Sequence, residues 1–220
     1  ISLDLWEAEF YHSAVVVQPL IGNLVYHSNH GRYEPRLAKK WSRVSPTRWE
    51  FTLIRGMTCE NGEPITPESF KQSIERSIRA GLKTGEPPVF NKLLGYREFL
   101  NGHSALDGIQ IDGDKIIFEF HSPLRDGVVQ ALSLAPYGYI CSENMNLDGT
   151  WKDKYRFISS GPYKVSRVEP GKFFELELRD QWKDSSNKAA PRKVHIEKYV
   201  PSEVPLSKWQ IIDTFESPKL

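Results

Sequence analysis

LAKKWSRVSPTRWEFTLIRGMTCENGEPITPESFKQSIER, from Leu37 to Arg76, packs a strand pair, a tight turn and a capped helix into one run. Trp49 to Ile54 (WEFTLI) alternates large apolar with polar residues, the period of a strand with one buried face. Asn61-Gly62 is a turn signal, because both residues tolerate positive φ. Thr66-Pro67-Glu68 predicts a helix start: a hydroxyl cap, proline in the first turn, and a carboxylate at the positive end of the helix dipole. Phe70, Ile74, Ser77 and Ile78 then give that helix a narrow stripe to bury. Gly81 ends it.

Working outward, Ile1 to Leu5 reads as extended, and Gln18 to Tyr26 (QPLIGNLVY) reads as a helix with an apolar face despite Pro19 and Gly22. Tyr33-Glu34-Pro35 is extended. Phe90 to Leu100 is predicted helical, ended by Asn101-Gly102. Leu106 to Ile111 and Lys115 to Phe120 form a predicted hairpin around Asp112-Gly113-Asp114. Val128 to Ala135 predicts a short helix and Tyr137 to Cys141 a strand. Tyr163-Lys164-Val165 opens a strand that Phe173 to Leu178 pairs with across Pro170-Gly171. Val194 to Val200 predicts the last strand. The reading is a mixed α+β protein.

The chain has 220 residues, enough to bury a sizeable core. Lys and Arg total 29 against 28 Asp and Glu, and no basic stripe stands out, so nucleic-acid binding has no electrostatic support. No apolar run approaches the ~18 residues of a membrane span. There is no P-loop, no G-x-G-x-x-G and no G-x-S-x-G elbow. No catalytic residue, cofactor site or metal site is therefore assigned, and the expectation is a non-enzyme. Cys59 and Cys141 are compatible with one disulfide in an oxidising compartment and equally with two buried thiols.

Four blocks, in order, resemble family 5 extracellular solute-binding proteins, the oligopeptide, dipeptide and nickel receptors of ABC importers. They are Leu37-Ala38-x-x-Trp41 with Trp49 to Leu53 and Arg55-Gly56; Asn61 to Thr66 with Glu68 and Phe70; the Ile109 to Phe120 hairpin with Pro123; and Ser160 to Val165 with Pro170-Gly171, Leu176 to Leu178 and Trp182. Two departures are Glu60-Asn61-Gly62, where the family has an aromatic or His, Asp and Gly, and Asp180-Gln181-Trp182, where it has Asn and Tyr-Trp.

The resemblance implies a lobe of the periplasmic-binding-protein type II kind with a small satellite subdomain, the second lobe being absent. Residues 1–36 and 157–200 are expected in the first lobe, 37–156 in the remaining lobe strands and the satellite, and 201–220 in a tail toward the second lobe. It implies a substrate-binding component of an ABC importer. Such a protein captures peptides or a similar polar solute in a cleft that closes by hinge motion, and delivers them to the transmembrane permease subunits. The implied setting is periplasmic or extracellular, with a lipoprotein anchor compatible, as a monomer without nucleic acid. Glu9, Phe10 and Tyr11, after the first strand, and Ser159 and Ser160, before Gly161, are the implied ligand-binding residues. An extended peptide there would be held by main-chain hydrogen bonds, in the manner of strand addition. The alternatives are a solute-sensing domain of a transcriptional regulator and a truncated scaffold that binds nothing.

Overall fold

Three antiparallel sheets organise the described residues. The computed structural model describes residues 16–28, 30–81, 89–102, 105–125, 127–146, 150–153, 155–170, 172–182 and 190–197. Strands β1 (Val25–His27) and β2 (Tyr33–Pro35) form a small hairpin. Strands β3 (Ala38–Ser45), β4 (Arg48–Leu53), β5 (Ile109–Asp112) and β6 (Lys115–Glu119) form a sheet in the order β3-β4-β6-β5. Strands β7 (Tyr163–Glu169), β8 (Phe173–Leu178) and β9 (Lys193–Glu197) form the third, in chain order.

The alternation in WEFTLI determines how the second sheet packs. Trp49, Phe51 and Leu53 are buried, while Arg48, Glu50 and Thr52 face partly into water. On that wetter face Lys115 donates to Glu50 at 3.0 Å, and Arg48 sits opposite Glu119 at 3.4 Å. Helix α1 (Pro67–Gly81) covers the other face, packing against β5 and β6. Its start is a reciprocal cap: Ser69 N–H donates to Thr66 Oγ1 at 3.2 Å, and Thr66 N–H donates to Ser69 Oγ at 2.9 Å. Phe70, Ile74 and Ile78 share a core with Phe51, Phe118, Phe90 and Phe99.

A second core lies under the third sheet, where Phe174 and Leu176 of β8 meet Val16, Val17, Leu20, Ile21, Ala135 and Phe157.

Four expected elements differ. Gln18 to Tyr26 is no helix: a 3-10 turn at Gln18–Leu20 leads into extended chain and β1. Leu20 and Ile21 belong to one core and Leu24 and Val25 to the other, so the segment passes between cores and buries all its faces, which one helical stripe does not permit. Phe90 to Leu100 splits into a 3-10 turn at Phe90–Lys92 and a short helix α2 (Tyr96–Leu100), broken by Gly95 at φ 71°. Helix α3 is shorter than expected, Gly127–Ala131. Tyr137 to Cys141 is no strand: a 3-10 turn at Ala135–Tyr137 leads to a single bridge between Tyr139 and Gly22. The amides of Tyr137 and Gly138 are spent on the carbonyls of Leu134 and Ala135, closing the turn rather than a ladder.

Candidate functional site

Four segments converge where the two cores meet. They are Gln18–Asn23, Thr58–Glu63, Tyr137–Ser142 and Ile158–Gly161. Their backbones approach so closely that glycine is required. A Cβ on Gly161 would lie 2.6 Å from the Leu20 carbonyl carbon, and one on Gly138 would lie 1.9 Å from Ile21 Cγ2.

Ser159 and Ser160 stand at the centre of this seam and are fully buried. Ser160 Oγ donates to the Tyr139 carbonyl at 2.5 Å and accepts the Gly22 amide at 2.9 Å. Ser159 Oγ directs its one proton at the carbonyls of Leu20, 2.8 Å away, and Tyr163, and accepts the Gly161 amide at 3.1 Å. Both hydroxyls are thus engaged inside the fold rather than turned to a surface. The backbone is engaged too. Ile158 exchanges two hydrogen bonds with the buried Asn144 amide, at 2.7 and 2.8 Å. Ser159 N–H donates to Glu60 Oε2 at 3.2 Å, and Glu60 N–H donates to Ser159 O at 2.7 Å. The amides of Ser160 and Gly161 both donate to Leu20 O. Strand addition by a peptide would need these groups free. Glu9, Phe10 and Tyr11 lie outside the described residues.

Arg179 and Tyr139 organise the seam yet belong to none of the four blocks that carry the resemblance, and Glu63 entered only as part of the Asn61 to Thr66 block. Arg179, directly after β8, is 5% exposed. Its guanidinium donates to Ser159 O at 3.3 Å, Gly161 O at 2.9 Å and Thr58 O at 2.8 Å. Burial pushes it below the ordinary arginine value, and the Glu60 carboxylate opposes that shift. Glu63 holds the other side. It accepts from Tyr139 Oη at 2.6 Å, from Ser142 Oγ at 2.6 Å and from Ser142 N–H at 2.9 Å. Burial, then the Glu63 hydrogen bond, pushes the Tyr139 phenol up to about 12. The one signal for these roles was position: Glu60 and Glu63 bracket the Asn61-Gly62 turn beside Cys59.

Cys59 and Cys141 are joined as a disulfide, with Cα atoms 6.2 Å apart and both residues fully buried. Asn61 Nδ2 donates to Glu143 at 2.9 Å across the same contact. Beside it opens a groove of about 820 Å³, lined by Asn61, Glu63, Ser142, Met145, Asn146 and Lys152 among others. Among the described residues no three His, Cys, Asp or Glu side chains gather as a metal site. His27 packs its ring on Tyr33, and His195 packs on Phe173 beside Glu175. Chemically, the seam assembles no activated nucleophile: its serines bond to main chain and its cysteines to each other.

Residues 32–208 match the family profile of bacterial extracellular solute-binding proteins, family 5. The chain belongs to that family. A binding protein of Haemophilus influenzae is 25% identical over 178 residues, covering 76% of this chain and 31% of the relative. A periplasmic oligopeptide-binding protein of Borrelia burgdorferi superposes with a TM-score of 0.76 at 18% identity, over 91% of this chain and 41% of that one. A substrate-binding protein of Microbacterium hydrocarbonoxydans, complexed with 4-hydroxybenzoate hydrazide, superposes at 0.65 and 25% identity, over 89% of this chain and 40% of that one. The chain therefore spans about a third of the curated relative and two-fifths of these solved chains. Among family 5 proteins, then, this chain supplies a partial fold in which the seam binds two sheets together. No helix among the described residues is long and apolar enough to cross a membrane.

Proposed function

We propose that this chain forms one wall of the solute cleft of a substrate-binding component of an ABC importer. It captures peptides or a similar polar solute outside the cytoplasm and hands them to the transmembrane permease subunits. The observation that carries this reading is the family match over residues 32–208. The seam supports it physically: binding by closure needs a wall that does not deform, and a saturated hydrogen-bond network supplies one. Contact with the solute is assigned to Glu9, Phe10 and Tyr11, and Ser159 and Ser160 are assigned the role of bracing the wall. The protein acts as a monomer in the periplasm or at the cell exterior, and the Cys59–Cys141 disulfide accords with an oxidising setting.

Calorimetric titration of the full-length protein with tri-, tetra- and penta-alanine tests this. Micromolar or tighter binding is expected, and its loss in Tyr11→Ala assigns the contact. Heats no larger than dilution for all three peptides refute the peptide reading. A second reading, an aromatic acid derivative as solute, is favoured by the Microbacterium hydrocarbonoxydans complex. Titration with 4-hydroxybenzoate hydrazide separates the two.

A further inference from the structure

We infer that Arg179 is the positioning residue of the cleft wall: its guanidinium locks the Thr58–Glu63 turn and the Ser159–Gly161 segment to the end of β8 as one body. This rests on the reading that Ser159 and Ser160 back the solute cleft. Arg179 touches no solute in it. It sits 5% exposed, and its guanidinium hydrogen-bonds to backbone carbonyls, with the Glu60 carboxylate as the nearby opposite charge. A buried cation is costly unless its donors are used. Here Nη1 serves Ser159 O and Gly161 O, and Nη2 serves Thr58 O, so one planar fork reaches two chain segments from a third. Glu60 closes the ring from below through its two hydrogen bonds with Ser159. No other described side chain hydrogen-bonds all three segments. Removing the fork takes the guanidinium donor from the Thr58 and Gly161 carbonyls, leaves Ser159 O with the Glu60 amide alone, and frees the turn from the wall.

The test is hydrogen exchange and calorimetry on the full-length protein, comparing Arg179→Met and Arg179→Lys with the parent. Arg179→Met is expected to speed exchange at the amides of Glu60, Ser159 and Gly161 at least tenfold, while the β3–β4 hairpin keeps its protection. Affinity for the alanine peptides drops at least fivefold at a temperature where the variant stays folded. Arg179→Lys keeps the charge but not the fork, and recovers part of both effects. Uniformly faster exchange across β3 to β9 overturns the inference, because it marks general destabilisation. Faster local exchange with unchanged peptide affinity overturns it as well. A parent protein that binds none of the peptides fails the proposed function instead, and the exchange pattern still decides whether Arg179 locks the three segments.

Discussion

The Cys59–Cys141 disulfide is expected to stabilise the protein chiefly through the unfolded chain, and removing it measures by how much. The cross-link closes a loop of 82 residues that contains α1, α2, α3 and the β5–β6 hairpin. The chain-entropy relation for a loop of that length gives about 4.5 kcal/mol at 25 °C. The native geometry has other fastenings at the same place. Glu63 holds Tyr139 and Ser142, and Asn61 holds Glu143. A Cys59→Ala, Cys141→Ala double variant should therefore keep its fold and lose stability. Alanine is chosen because both sites are fully buried and apolar. For a domain of roughly this size each kcal/mol moves Tm by about 2–4 °C, so the expected fall is about 9–18 °C. Scanning calorimetry of parent and variant reads it directly. Thiol titration of the unfolded, unreduced parent should find no free thiol. A fall below about 3 °C would refute the reasoning, since by the same conversion it leaves less than about 1.5 kcal/mol for loop closure. Two titratable thiols in the parent would refute it outright.

Three further outcomes are expected. Gly161→Ala should cost about 3 kcal/mol or more, because its Cβ meets the Leu20 backbone, and Gly138→Ala should cost at least as much, because its Cβ would lie 1.9 Å from Cγ2 of the buried, β-branched Ile21 and 3.2 Å from the Gly22 carbonyl oxygen; urea unfolding midpoints of both variants should fall well below the parent's, and an unchanged midpoint in either would refute the close-approach argument. Phe70→Ala removes a fully buried ring from the contact between α1 and the sheet, and should cost about 3–5 kcal/mol in the same assay. Tyr139 binds its proton more tightly folded, at about 12, than unfolded, at about 10. Its contribution is complete below pH 10 and disappears as pH rises toward 12; unfolding curves of the parent should fall across that window more steeply than those of Tyr139→Phe, and equal slopes would count against the assignment.

The hairpins and α1 were legible because their signals are local. Strand alternation at Trp49 to Ile54 survives in the burial of Trp49, Phe51 and Leu53. The cap at Thr66 and the stripe through Phe70, Ile74 and Ile78 needed no tertiary knowledge. Where a segment lies between two cores, the local signal misleads. Gln18 to Tyr26 is rich enough in Leu, Ile and Val to suggest an amphipathic helix, yet its apolar residues serve opposite sides. Propensity gave way there to tertiary burial.

The seam was hidden for a related reason. Three backbones cross within bonding distance, so the residues between them must be small, and each buried amide and carbonyl must be met by a short polar side chain. Gly22, Gly138, Ser159, Ser160, Gly161 and Asn144 satisfy that requirement. In sequence the same residues spell a loop, because small polar residues also favour turns. The Ser160-Gly161-Pro162-Tyr163 block that marks kinship is therefore where the crossing segments are tied, with the Ser160 hydroxyl spent on main chain. If solute specificity were written into Ser159 and Ser160, exchanging either for a larger polar residue would retune it. The packing predicts instead that such an exchange breaks the crossing: Ser160→Asn must displace the Gly22 amide and the Tyr139 carbonyl together. It should lose thermal stability and peptide affinity in step, with no change in which peptide is preferred. A changed preference at unchanged Tm, read by calorimetry across the alanine series, would place Ser160 in the binding surface after all.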